Sequence, residues 1–183
     1  YSFRVQPGSK AIATAAAQYL KAVSEQAGKP VRKVAFLHEQ SDFGSGAADA
    51  FTAAAQQLGI GIGPNISYDA ATVSDLTAQV TQVKASGADV LAVAGYYRDS
   101  LLAAKAIASV KPDLSAVWGV SNGAYDQPKF VADAAAKIIE RACGPYLNRL
   151  LCVRQTAADR HHRSRRGFCG RKRQPTFEQR DVR

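Results

Sequence analysis

The sequence predicts an α/β domain of three layers, with a parallel sheet of at least four strands covered by helices on both faces. Two observations carry this prediction. Strand-like and helix-period segments alternate four times at a spacing of roughly 27 residues, the pattern of a parallel sheet joined by crossover helices. The strand-like segments are short, nearly continuous apolar runs, as expected of strands buried on both sides. The layer architecture is Rossmann-like, with no implication of a dinucleotide.

The elements follow in order. Ser9 is placed to cap a first helix whose apolar stripe is Ile12, Ala16, Tyr19, Leu20 and Val23, and Gly28-Lys29-Pro30 ends it. Val31 to His38 (VRKVAFLH) reads as the first buried strand. Ser41-Asp42-Phe43-Gly44-Ser45-Gly46 reads as a turn feeding an alanine-rich helix from Ala47 to Leu58. A second strand is expected from Ile62 to Tyr68, then a helix from Ser74 to Ser86 with Ser74 as cap, Asp75 in its first turn, and a stripe of Leu76, Val80 and Val83. Ala88 to Ala94 reads as the third strand, Asp99 to Val110 as the next helix, and Leu114 to Val120 as the fourth strand. Pro128 suits the first turn of a helix running through Ala136.

Charge divides the chain. Residues 1–136 hold 11 Lys and Arg against 11 Asp and Glu, whereas residues 137–183 hold 13 against 4, so the whole +9 lies in the last 47 residues. Cys143, Cys152, Cys169, His161 and His162 lie there too. Such a shift marks a boundary. Residues 1–140 are read as the folded domain and 141–183 as a basic Arg/Cys-rich tail, the product of out-of-frame translation or a disordered segment. Its arginine clusters suit an acidic surface or nucleic acid, but aromatics for stacking are sparse and the body shows no nucleic-acid motif, so no nucleic-acid partner is expected. The Cys and His spacings match no common zinc pattern, and no metal or cofactor is expected. No apolar run approaches the ~20 residues of a membrane span. The absence of Met, at position 1 included, implies a start downstream of the translation start, with any secretory signal lying upstream.

Ligands of open parallel sheets bind beyond the carboxyl ends of the strands. The loops expected there are Glu39-Gln40-Ser41-Asp42-Phe43-Gly44, Gly95-Tyr96-Tyr97-Arg98-Asp99 and Gly119-Val120-Ser121-Asn122-Gly123, with a plainer Asp69-Ala70-Ala71-Thr72 after the second strand. Glycine beside aromatic and small polar groups fits a pocket for a small organic ligand. Tyr97 is expected to face away and pack on a helix, His38 to be structural, and Trp118 to fill the core.

Five stretches, in order, resemble the C-terminal lobe of the leucine/isoleucine/valine-binding proteins of ABC transporters, a type I periplasmic-binding fold. They are Tyr1-Ser2-Phe3-Arg4, KVAFLHEQSDFGSG, Asp75-Leu76 within ATVSDLTAQV, ADVLAVAGYYRDS and WGVSNGAYDQPKF. The resemblance implies that Phe43 packs on the ligand and that Tyr96 meets its amino group. It places Ser121, followed by Asn122, where an acidic residue often balances the ligand ammonium. Without that carboxylate a charge-assisted bond is lost, which leaves room for an amide, urea-like or carboxylate ligand beside branched-chain amino acids. The implied protein is a periplasmic substrate-binding component that closes two lobes on its ligand and delivers it to a membrane permease.

Two rivals remain on sequence alone. The same fold serves ligand-sensing regulators and receptors, and both uses share hinge closure. An enzyme is the weaker rival. The glycines of Leu58 to Pro64 follow a helix and lead into a strand, the wrong context for a dinucleotide loop. Ser41 has no base beside it in a known motif, and Glu39 and Asp42 read as caps near a helix start. No catalytic residue is assigned.

Overall fold

The computed structural model describes residues 7–125 and 127–134. Helices and strands alternate as α1 (Ser9–Gln26), β1 (Lys33–Glu39), α2 (Asp42–Gln57), β2 (Gly61–Tyr68), α3 (Thr77–Ser86), β3 (Val90–Ala94), α4 (Tyr97–Val110), β4 (Ala116–Gly119) and α5 (Pro128–Asp133). The four strands form one sheet in the order β2-β1-β3-β4, and every neighbouring pair is parallel. The α/β reading holds, with the expected number of strands.

The period of two along each strand divides the core. Val34 and Phe36 of β1, with Val90, Ala92 and Ala94 of β3, pack beneath α1 and α2. Ala35 and Leu37, with Leu91 and Val93, pack beneath α3 and α4. Alanines at 47, 48, 54 and 55 bring α2 close to the sheet, with Phe51 filling the gap and its ring centroid 5.2 Å from that of Phe36.

Several local expectations are corrected. The buried stripe of α1 is Ala13, Ala17 and Leu20, while Tyr19 is exposed. The neighbouring α2 presents alanines, and so close a helix pair admits only small side chains. Gly8, not Ser9, holds the cap position, and no side chain caps this helix. Tyr19 instead lies against Trp118, with ring centroids 5.8 Å apart, and Trp118 is only partly buried rather than central. The turn at Ser41 is already helix: Ser41 Oγ accepts from the Phe43 and Gly44 amides, so α2 begins at Asp42. Helix α3 starts at Thr77 rather than Ser74. The Asp75 carboxylate accepts from the Thr77 amide and hydroxyl, and buried Leu76 occupies the cap position. The expected stripe of Leu76, Val80 and Val83 is fully buried. Helix α4 starts two residues early, at Tyr97, because Asp99 accepts from the Tyr96 amide. The glycine run does follow a helix and lead into β2, where Pro64 is tolerated on an edge strand beside a register shift.

The amino ends of the strands are tied by one side chain. Asp89, just before β3, accepts from the Arg32 amide at 3.0 Å and the Lys33 amide at 2.8 Å, and pairs with the Arg32 guanidinium. Its own amide donates to Lys33 O, and its carbonyl accepts from Ser115.

Candidate functional site: the carboxyl edge of the sheet

The order β2-β1-β3-β4 sends the chain from β1 to one side and from β3 to the other. The loops after these two strands therefore diverge at a topological switch point, where open sheets leave a crevice. Phe43, in the first turn of α2, and Tyr96, just before α4, meet there with ring centroids 6.3 Å apart and planes inclined by 33°. Tyr96 is 59% exposed, although aromatic rings are usually buried, so this wall is open to a ligand. The geometry thus brings together the two aromatic residues singled out from the sequence.

The other two residues arrive differently. Ser121 follows β4, one strand further along the same edge, and is exposed with a left-handed φ of 53°. Asn122 is buried and bonded inward. Its Nδ2 donates to Ser100 Oγ at 2.7 Å and its Oδ1 accepts from the Ala124 amide at 2.9 Å, so it anchors the loop to α4. Tyr97 faces away as expected, donating to Asp133 Oδ2 at 2.8 Å and meeting Phe130 edge-on. Arg98 donates to the carbonyls of Ala70 and Val73 and pins the loop after β2.

Beneath the aromatic pair lies a group of polar residues that the sequence reading did not assemble. Glu39 closes β1 and is buried rather than serving as an exposed cap; its Oε1 accepts from the Ser41 hydroxyl. His38 is buried, with Nδ1 2.8 Å from the Glu39 carbonyl. A carbonyl only accepts, so Nδ1 carries the proton. Tyr68 pairs with Glu39 across the strands, and its buried hydroxyl lies beside the Asp99 carboxylate and the Gly95 backbone. Burial first, then the Asp99 carboxylate through its charge and a hydrogen bond, then the Glu39 carboxylate through its charge, push the phenol pKa far above its ordinary value. The available signal was an acidic residue and a tyrosine at the last positions of adjacent apolar strands. Only the pairing register shows that they meet.

Among the described residues no group of three or more His, Cys, Asp and Glu could hold a metal ion, and no helix is long and apolar enough to cross a membrane. The cysteines, the tail and the 140/141 boundary lie outside the described residues.

The family model described as "Periplasmic binding protein" matches residues 1–140. The Leu/Ile/Val-binding protein homolog 3 of Brucella melitensis is 34% identical over 98 residues, covering 51% of this chain and 26% of the relative. The chain thus spans about a quarter of that protein's length. A Silicibacter pomeroyi structure, provisionally assigned to a branched-chain amino acid ABC transporter, superposes with a TM-score of 0.62 at 16% identity, over 85% of this chain and 47% of that one. The periplasmic binding protein type 1 of Bordetella pertussis gives 0.54 at 21% identity, over 68% and 32%. An ABC transporter solute-binding protein of R. palustris, solved in complex with benzoate, gives 0.52 at 14% identity, over 75% and 33%. At these identities the structural likeness shows the fold, that of one lobe of such a protein.

Proposed function

The chain belongs to the periplasmic binding protein family, and on that premise we propose that it is one lobe of a periplasmic substrate-binding component of an ABC transporter. It captures a small amino-acid-like ligand, a branched-chain amino acid, amide or related molecule, by closing with a second lobe, and hands it to the membrane permease without chemical change. The observation that carries this reading is the meeting of Phe43 and Tyr96 at the switch point, with the Tyr96 ring presented to the outside. An apolar wall flanked by hydroxyl and amide groups binds a small organic molecule by burial and orients it by a few polar contacts.

A single lobe offers a shelf rather than an enclosed pocket. Most of the area that closure would bury is forfeited, and affinity falls by orders of magnitude. Titration of the isotope-labelled chain with leucine, valine, a short amide and benzoate, followed by NMR, is the direct test. Millimolar ligand should shift the resonances of Phe43, Tyr96 and the loop at Ser121, while calorimetry gives no heat below millimolar concentration. Shifts centred elsewhere, or none for any ligand near its solubility limit, would remove the crevice as the ligand site. Micromolar affinity would mean that the pocket is complete within one lobe, against a two-lobed mechanism.

A further inference from the structure

We propose that Ser100 and Asn122 are positioning residues of the crevice: a buried chain of hydrogen bonds through their side chains fixes the loop that carries Ser121 relative to Tyr96, so that the two sides meet a ligand as one preformed surface. This rests on the reading of the crevice as the ligand site and adds what holds its shape. Ser100 is fully buried and Asn122 is 8% exposed. The direction of each bond follows from the donors available. The Ala124 amide only donates, so the Asn122 atom 2.9 Å from it is Oδ1. Nδ2 therefore faces Ser100 Oγ at 2.7 Å, and as a donor only it makes that oxygen accept. The Ser100 proton is then left for the Tyr96 carbonyl, 3.0 Å away, which also takes the Ser100 amide at 3.1 Å. Each of the two side chains accepts one bond and donates one, an arrangement in which successive bonds polarise one another.

The backbone at Ser121 is the independent observation. Its left-handed φ of 53° is one that a residue with a Cβ keeps only where its surroundings over-determine it. On one side Val120 is fully buried and its amide donates to Val93 O at 2.8 Å, which carries the β3–β4 pairing one residue further. On the other side stands Asn122, bonded at both ends of its amide. Exposed Ser121 is thus held between two fixed neighbours.

An asparagine that merely shapes its own turn needs only the bond from Oδ1 to the amide two residues on. The bond from Nδ2 to Ser100 reaches a different element, and that element begins at the aromatic wall. Tyr96 carries both the ring that lies against Phe43 and the carbonyl that ends the chain. A surface fixed before the ligand arrives spares the ligand the cost of ordering it, and this is the advantage the chain gives the crevice.

The test is the NMR titration of the full chain with valine, made on the wild type, Ser100→Ala, Asn122→Asp and, as a control for stability alone, Asp89→Asn at the opposite end of the sheet. Ser100→Ala removes the link. Asn122→Asp reverses it, because a carboxylate draws the Ser100 proton away from the Tyr96 carbonyl while still accepting from the Ala124 amide. Each should raise the dissociation constant read at Phe43 and Tyr96 by at least about threefold and shrink the shift at Ser121 relative to that at Tyr96. Asp89→Asn should lower Tm and leave the constant unchanged. An unchanged constant in either folded variant of the chain, or an equal rise in Asp89→Asn, would overturn the positioning role and leave the crevice standing. Asn122→Asp keeps the test decisive if Ser100→Ala fails to fold. Should valine shift neither Phe43 nor Tyr96 in the wild type, the crevice falls as the ligand site and the positioning role falls with it.

Discussion

At the amino ends of β1, β3 and β4, Asp89 gathers two backbone amides and a guanidinium, and neighbouring main-chain groups bond to one another. At the carboxyl edge of the sheet, Glu39 at the end of β1, Tyr68 at the end of β2 and Asp99 in the first turn of α4 are buried, with the phenol beside the Asp99 carboxylate. One parallel sheet carries both ends, so the sheet itself does not impose the difference. At one end a carboxylate is met by main-chain amides, and at the other buried acids and a phenol lie against the bare backbone of Gly44 and Gly95, where no side chain would fit.

The largest expected effect is at the satisfied end. Asp89→Ala removes two amide bonds to a charged acceptor and should cost about 3 kcal/mol in chemical denaturation, at roughly 1.5 kcal/mol for each charge-assisted bond. The exposed ion pair with Arg32 adds little. Asp89→Asn, which keeps an acceptor, should recover part of the loss. A cost under about 1 kcal/mol for Asp89→Ala would show that the amino ends do not depend on this clasp.

Next is Gly95→Ala at the open end, where the new Cβ would overlap Tyr68 Oη. Overpacking of this kind costs about 2 kcal/mol. In a Tyr68→Phe background the overlapping oxygen is gone, so the same substitution should cost at least about 1 kcal/mol less, a coupling that a double-mutant cycle measures. Additive effects would place the strain in the backbone rather than at the phenol.

Most of the fold was legible because it follows from period and polarity. The stripe of Leu76, Val80 and Val83, the order of elements and the pairing of Phe43 with Tyr96 at one edge all follow from apolar spacing and from parallel strands sharing a carboxyl edge. Helix starts were less legible, since Ser41, Asp75 and Asp99 act through side-chain bonds whose reach depends on backbone geometry. The face of α1 turned on the alanines of a different helix. The polar floor was hidden for another reason: Glu39, Tyr68 and Asp99 come from three elements, and pairing register together with the bare backbone at Gly95 unites them.

A third effect depends on pH. The folded pKa of Tyr68 lies above its unfolded value of 10.0, so the unfolded chain releases that proton first as pH rises. The stability concerned is fully present below pH 10 and declines as pH rises from there towards the folded pKa. Above pH 10 the wild type should therefore lose stability faster than Tyr68→Phe, by up to about 1.4 kcal/mol per pH unit. The difference between the two chains removes the background from lysines. Parallel alkaline unfolding curves would show that the phenol is not held in a desolvated, acidic setting.

The smallest effect compares two residues that share a left-handed backbone, Lys111 at φ 52° before β4 and Ser121 at φ 53° after it. Any residue with a Cβ is strained in this region by about 1 kcal/mol or somewhat more, and glycine is not. Glycine also gains entropy in the unfolded chain, worth about 0.4–1 kcal/mol in the opposite sense. Each substitution to glycine should therefore stabilise the fold by only about 0.5 kcal/mol. The two should part on ligand. Lys111 caps α4 through its backbone amide, which glycine retains, so ligand-induced shifts at Phe43 and Tyr96 should be unchanged. Ser121 stands on the open edge with its side chain exposed, and Ser121→Gly should weaken the same shifts while leaving the fold slightly firmer. That outcome would make the strain at Ser121 a means of holding its hydroxyl at the crevice. Equal ligand response in both variants would reduce Ser121 to a turn residue and leave Phe43 and Tyr96 as the wall of the site.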